Sequence, residues 1–228
     1  FAVQSHQKAF AAREKLAEEI CPVYVNGHAV TADNGLRTQS ELSRIAKLNP
    51  LFDGAQGTVT AGNSSQLTDG AVALLVMSES RAEQLGFRPL GILTGYANAG
   101  CDPARMGLGP VHAIARAETE TGLALAQADL VEINEAFAAQ VLAVMAAAQS
   151  PEFARKQLQR DTAVGKISLE KLNVNGGALA LGHPVGASGA RLVLTSLLEL
   201  RRRHGHRALV ALCVGGGQGS AAWLERKI

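Results

Sequence analysis

From about residue 90 to the end of the chain, short apolar runs alternate with segments of helical period, and several of the apolar runs stop at a glycine-rich turn. The pattern predicts strands at 90–98, 129–134 and 172–176 and helices at 110–121, 136–148 and 186–203. A hairpin of strands at 207–214 and 219–226 closes it. Such alternation restricts the fold to an α/β sheet covered by helices, and ligands of such sheets collect at the carboxyl ends of strands. Residues 149–171, QSPEFARKQLQRDTAVGKISLEK, interrupt the order and read as a polar, partly helical surface insertion.

Three strand ends carry groups with chemistry to offer. Asn134-Glu135-Ala136-Phe137 closes the strand LVEIN, His183 follows NVNG in a Gly-His-Pro turn, and Cys213 closes ALVALC ahead of Val214-Gly215-Gly216-Gly217. Histidine exchanges protons near neutral pH, and glycines let the backbone turn sharply and approach another group closely. A cysteine beside the backbone N–H groups of glycines suits thiol acid/base chemistry and an oxyanion hole. Each motif also has a plainer reading, His183 on a capped surface turn and Cys213 as a structural cysteine before a hairpin. The recurrence of a glycine turn with a proton-transfer residue at two strand ends is what favours one shared site.

The first ninety residues are less regular. Phe1 to Glu19 reads as an amphipathic surface helix, and PVYVNGHAV as a strand pair turning at Asn26-Gly27. Thr31 to Asn49 is polar, with Arg37 ahead of a short helix in SELSRIAKL; an arginine there can pair with a phosphate or with a surface carboxylate. Phe52 is a lone aromatic. TVTAGNSSQLTDGAVALLVMS, 58–78, predicts two β-prone segments about a polar turn holding Ser64 and Ser65, the last part apolar enough for a buried strand. A short helix at 79–85 and a linker at 86–89 precede the regular region.

Several classes are excluded. The 22 basic residues are dispersed among 20 acidic ones, a net charge of +2, which gives no case for nucleic acid. The run Arg201-Arg202-Arg203-His204 falls at a helix end, where cations complement the dipole. Three cysteines without CxxC spacing argue against a disulfide framework or zinc knuckle and for a reducing, cytoplasmic compartment. No apolar run reaches the roughly 18 residues of a membrane span, and the residues from Phe1 onward do not show the charged-then-apolar pattern of a signal peptide. Gly186-Ala187-Ser188-Gly189-Ala190 misses the final glycine of a serine-hydrolase elbow, no dinucleotide or phosphate-loop motif occurs, and His204 and His206 do not make a metal site. Phe1 lies inside a helical pattern already under way, so we expect the chain to be the C-terminal part of something longer.

NEAFAAQ, NVNGGALALGHPVGASGAR and CVGGGQG, in this order and preceded by TAGNSSQLTDGA, resemble the motif set of the thiolases, the acetyl-CoA acetyltransferases and 3-ketoacyl-CoA thiolases. FAVQSHQKA and KLNPLFDGAQGTVTAGN extend the resemblance over essentially the whole chain. It implies the layered α-β-α-β-α thiolase fold, divided here into part of the substrate-covering loop region (1–56), the last segment of the N-terminal half-domain (57–87) and the C-terminal half-domain (88–228).

The resemblance also implies ping-pong acyl transfer between 3-ketoacyl-CoA and CoA, or the reverse Claisen condensation, through a nucleophilic cysteine. His183 would activate that nucleophile and, with a water held by Asn134, stabilise the thioester oxygen. Cys213 would be the acid/base at the acetyl carbon, and the Gly215 N–H would serve a second oxyanion hole. Ser65 and Arg37 would touch CoA, and Phe52 and Phe137 would line the acyl end. No cofactor or metal is implied, CoA being a substrate; the partners are acyl-CoA, CoA, a second copy in a homodimer or tetramer, and the N-terminal thiolase half. Neither Cys21-Pro22 nor Cys101-Asp102-Pro103 matches the family's nucleophile motif, so the chain alone is expected to be inactive. The alternative is a catalytically incomplete half that serves only to bind CoA or to assemble. The insertion after Ala148 resembles fatty-acid-oxidation thiolases, whereas Asn134 in NEAF points to the short-chain enzymes, leaving chain length open.

Overall fold

The computed structural model describes residues 1–37 and 41–227. In chain order these form helices α1 (Ala2–Ala11) and α2 (Arg13–Ala17), strands β1 (Val23–Val25) and β2 (His28–Val30), and short helices α3 (Leu42–Ile45) and α4 (Glu79–Gln84). Then follow β3 (Gly91–Gly100), α5 (Gly109–Thr121), β4 (Leu130–Ile133), α6 (Ala138–Gln149), α7 (Pro151–Gln157), α8 (Ala178–Leu181), α9 (Val185–Arg203), β5 (Arg207–Val214) and β6 (Gln218–Arg226). The four later strands make one mixed sheet in the order β3-β6-β5-β4. Only the β4–β5 pair is parallel.

Strand alternation decides what each face of that sheet meets. Val131, Ile133, Leu209, Ala211, Ala221 and Trp223 pack with Val111 and Ile114 of α5 and Val141 and Val144 of α6 in one core. The intervening Leu130, Ala208, Val210 and Leu224 meet Leu192, Leu197 and Leu200 of α9 on the other face. The β4, β5 and β6 part of the sheet is therefore covered on both sides as the alternation predicts, while the edge strand β3 leaves Leu93 and Tyr96 exposed; the parallel pair carries Asn134 and Cys213 just beyond or at its carboxyl ends.

The structure corrects four expectations. The predicted strand 172–176 is a turn that touches β4 through a single bridge, Leu172 to Val131. Asn173, in the left-handed region at φ 43°, replaces the ladder with its amide: Oδ1 accepts from the Ile133 N–H at 2.8 Å and Nδ2 donates to the Ile133 carbonyl at 2.9 Å. His183 accordingly follows the short helix α8, not a strand. The segment 71–78 is not a buried strand either. It has no ladder among the described residues, and Leu75 and Val76 are 74% and 79% exposed, because no neighbouring strand lies beside it. Residues 149–171 are no mere surface insertion: Val164 and Ile167 are buried in the α5–α6 core, and Phe153 and Leu158 pack against it. Finally, the opening helix breaks at Ala12 into α1 and α2.

Candidate active site

The turn after α8 is fixed from both sides. Gly182 has φ 92°, and a Cβ there would lie 2.5 Å from Cγ2 of Thr68, so glycine is required for conformation and for space. The next N–H, of His183, donates to the Gln66 carbonyl at 2.8 Å. Leu67 and His183 form a parallel bridge, Ser64 pairs with Phe137, and the Ser65 N–H donates to the Ala136 carbonyl at 3.0 Å. The 63–68 segment thus straps the His183 turn to the end of β4 and brings Ser65, Phe137, Asn134 and His183 into one region.

The His183 ring is held at both nitrogens. Nδ1 is 2.5 Å from Ser188 Oγ, in the first turn of α9, and Nε2 is 3.2 Å from Nδ2 of Asn134. With the Asn134 amide so placed, Nε2 accepts from Nδ2 and the ring proton sits on Nδ1, which donates to Ser188. Nε2 is then the basic atom turned toward Asn134, whose own Oδ1 is buried without a partner among the described residues. Burial, and secondarily the positive charge of Arg191, hold His183 below the ordinary histidine pKa. A half-buried neutral imidazole with one tautomer enforced is a proton acceptor.

Cys213 closes β5 beside its neighbour β4. It pairs with Gly219, which approaches the backbone of Gly109 too closely for any side chain. Burial pushes the thiol up, and the nearby Cys101 adds to this. A buried thiol with a raised pKa keeps its proton near neutral pH and is a poor nucleophile. Gly216 and Gly217 both have positive φ, and the Gly217 carbonyl receives the Cys101 N–H at 2.8 Å. Gly215 lies in the exposed part of this turn with nothing near it.

Beneath the strap lies Glu135, buried and fully engaged. It receives hydrogen bonds from Ser5 Oγ (2.6 Å), Asn173 Nδ2 (2.7 Å) and the Leu179 N–H (3.1 Å), so one carboxylate ties α1, the 173 turn and α8 together. A Cβ on Gly177 would meet that carboxylate at 2.5 Å. Beside the strap a cleft of about 490 Å³ is lined by His6, Arg37, Arg44, Gln66 and Leu179, among others. Arg37 therefore shares a wall with the residue that holds the His183 turn. Phe52 is 64% exposed and is not among that cleft's lining residues.

Ser188, Glu135 and Arg191 are functional neighbours that sequence reasoning missed. Ser188 stood out only as part of an incomplete serine-hydrolase motif, though its spacing of five from His183 across a helix start was a usable signal. No group of three or more side chains suited to a metal ion occurs among the described residues, nor is any of their helices long and apolar enough to cross a membrane.

The site therefore gathers an asparagine and a buried thiol at the ends of the parallel strand pair and a histidine held at both ring nitrogens on the turn after α8. Comparison with known proteins gives the family. Residues 87–226 match the family described as thiolase, C-terminal domain, and residues 1–80 the one described as thiolase, N-terminal domain. An acetyl-CoA acetyltransferase of Chromobacterium violaceum is 45% identical over 99% of this chain and 55% of its own length. Among solved structures, the Bacillus anthracis acetyl-CoA acetyltransferase superposes with a TM-score of 0.85 at 39% identity, over 99% of this chain and 54% of that one. Human mitochondrial 3-ketoacyl-CoA thiolase in complex with CoA gives 0.82 at 38%, over 99% and 53%. The chain belongs to the thiolase family and has its α/β fold, and it spans about half the length of the relatives it matches.

Proposed function

We propose that the chain supplies the proton-transfer side of a thiolase: acyl transfer between a 3-ketoacyl-CoA and CoA, or the reverse condensation of acetyl-CoA, through a cysteine thioester. The observation that carries this reading is the His183 ring, whose Nδ1 is committed to Ser188 and whose Nε2 faces Asn134. His183 Nε2 takes the proton of the attacking thiol, and Asn134 orients the water or oxygen beside it. Cys213 returns or removes the proton at the acetyl carbon, with the Gly215 N–H stabilising the enolate oxygen. Ser65 and Arg37 hold CoA along the strap and cleft, and Phe137 borders the acyl end; Phe52, on its exposed turn, is the weakest member of the set.

None of the three cysteines is assigned as the nucleophile. Burial raises the thiols of Cys101 and Cys213, the reverse of what attack at neutral pH needs, and Cys21 lies exposed past α2. The nucleophile then comes with the N-terminal thiolase half, 57–87 being the end of that half, 1–56 part of the covering loops and 88–228 the C-terminal half. The exposed run at Leu75-Val76 supports such an assembly, in a homodimer or tetramer working in the reducing cytoplasm. The test is acetoacetyl-CoA thiolysis by this chain co-expressed with the first half of the Chromobacterium relative. Turnover that disappears in His183→Ala is expected. A soluble complex with no turnover, or turnover indifferent to His183, would defeat the reading and leave a CoA-binding or assembly module.

A further inference from the structure

A second cleft, of about 540 Å³, lies where the linker 87–90 passes the last turn of α9 and the end of β6. It shares no lining residue with the cleft beside the strap. Gly91 pairs with Arg226, and a side chain on Gly91 would collide with Leu197 of α9 and with the Glu225 carbonyl, so the chain leaving the linker is pressed against both elements. At its other end the Phe87 N–H donates to the Ala82 carbonyl of α4 at 2.9 Å. The lining is of two kinds. Phe87, Pro89 and Leu90 are apolar, Phe87 being half exposed, and Arg88, Arg201, Arg226 and Lys227 are cationic, with no acidic residue in the described lining.

Lys227 is paired with Glu79 at 2.6 Å, but among the described residues Arg88, Arg201 and Arg226 have no carboxylate within ion-pair distance. Their neighbours do: Arg202 is tied to Glu19, Arg203 to Glu199 and Arg207 to Glu225. Two members of the basic run at 201–203 thus secure the end of α9, and Arg201 is left over in the cleft. Arg226 is fixed along one edge, its Nε donating to the Gly205 carbonyl at 2.8 Å, and its Nη groups bond no protein atom among the described residues. Like charges gathered in one cleft repel one another, and a cleft lined by one sign of charge concentrates ions of the other. Guanidinium forks match phosphate oxygens in pairs, and an exposed aromatic ring gives a base a face to stack on. We propose that this cleft binds a nucleotide bearing two or more phosphates, with the phosphates on Arg88, Arg201 and Arg226 and the base against Phe87 and Leu90. Its size suits such a ligand, pockets for small organic molecules running to roughly 300–1,000 Å³. The inference stands apart from the thiolase reaction, since none of these residues belongs to the His183 site.

The test is an NMR titration of the 15N-labelled 228-residue chain with ADP in phosphate-free, low-salt buffer. Shifts are expected at the amides of Phe87, Arg88, Leu90 and Lys227. Arg88→Glu and Arg201→Glu change exposed side chains that make no hydrogen bond among the described residues, so the fold is kept, and each is expected to weaken ADP binding roughly tenfold or more. Arg155→Glu, at an exposed position of α7 outside the cleft, alters the net charge equally and is expected to leave binding near wild type. Adenosine is expected not to bind, and pyrophosphate to bind more weakly than ADP. The same titration with CoA separates two sources of this chemistry: CoA silent at these amides makes the ligand a free nucleotide, and CoA matching ADP makes it the nucleotide end of CoA, each in support of the site. Absence of shifts at millimolar ADP, a loss in Arg155→Glu as large as in Arg201→Glu, or pyrophosphate binding as tightly as ADP overturns the proposal. So does a tetraglutamate peptide that binds the cleft more tightly than ADP, which would make it a seat for an acidic protein segment.

Discussion

Residues 91–227 and the ninety before them meet the demands of burial in opposite ways. The later part closes its own core, with Trp223, Leu209 and Ile133 fully covered between the sheet and α5–α6. The earlier part has little core of its own. The β1–β2 hairpin is exposed along both strands, whereas α1 and α2 are tied to the later part by an apolar contact of Ala2 with Ala138 and Leu179 and by polar ones, Lys8 donating to the Leu169 and Leu172 carbonyls and Arg202 to the Lys15 carbonyl. Ser5 reaches Glu135, and Glu19 reaches Thr195 and Arg202 of α9 at 2.7 and 3.1 Å. The candidate site lies where the two parts touch: β4 and β5 carry Asn134 and Cys213, the α8–α9 turn carries His183, and the earlier part supplies the strap that holds that turn.

This contrast can be broken, beginning with the largest effect. Trp223→Ala is expected to cost about 3–5 kcal/mol in denaturant unfolding, the range for emptying a large aromatic site in a closed core. A loss under about 1 kcal/mol would mean that the sheet is not the folding unit described. Glu135→Ala leaves the Asn173 amide and the Leu179 N–H without their acceptor and should cost about 3 kcal/mol. Hydrogen exchange should show α1 losing protection while β5 and β6 keep theirs; uniform loss would erase the distinction between tethered and core-forming parts.

Glu132, wholly buried in β4, sharpens the comparison through pH. Burial pushes its folded value up to about 8, above the 4.5 of an ordinary glutamate, so the folded chain keeps a proton that the unfolded chain releases. Stability from this group is intact below about pH 4.5 and falls as pH rises toward 8, by up to about 1.4 kcal/mol per pH unit. Glu132→Gln should gain stability over wild type across that window; parallel pH profiles would show Glu132 ionised in the fold. The smallest effect belongs to the exposed run. Leu75→Ser should change stability by less than about 0.5 kcal/mol. A cost of several kcal/mol would place Leu75 in a core that the exposed position denies it.

How much was legible in the sequence follows the same division. The closing hairpin, α9 and both covered sheet faces follow from periodicity, because tertiary packing there agrees with the local pattern. The β1–β2 hairpin follows from Asn26-Gly27, both residues with positive φ. The strand expected at 172–176 was illegible because a side-chain amide does the work of a ladder, and amides leave no period. The apolar run at 71–78 carried the composition of a buried strand without anything in this chain to bury it. Asn134 was legible at a strand end and His183 as a Gly-His-Pro turn, although the turn follows α8 and not a strand, and their mutual hydrogen bond joins residues 49 apart. Ser188 and Arg191 gain meaning only once α9 is laid across β4.

The central claim is that this chain holds the proton-transfer groups of a thiolase site and not its nucleophile. Incubation of the purified chain with acetoacetyl-CoA, followed by intact-mass and peptide mass spectrometry, tests it most directly. The expected result is an unchanged mass, with Cys21, Cys101 and Cys213 all unacylated. A stable acyl group on any one of them, with acetyl-CoA released, would contradict the account and make that cysteine the nucleophile.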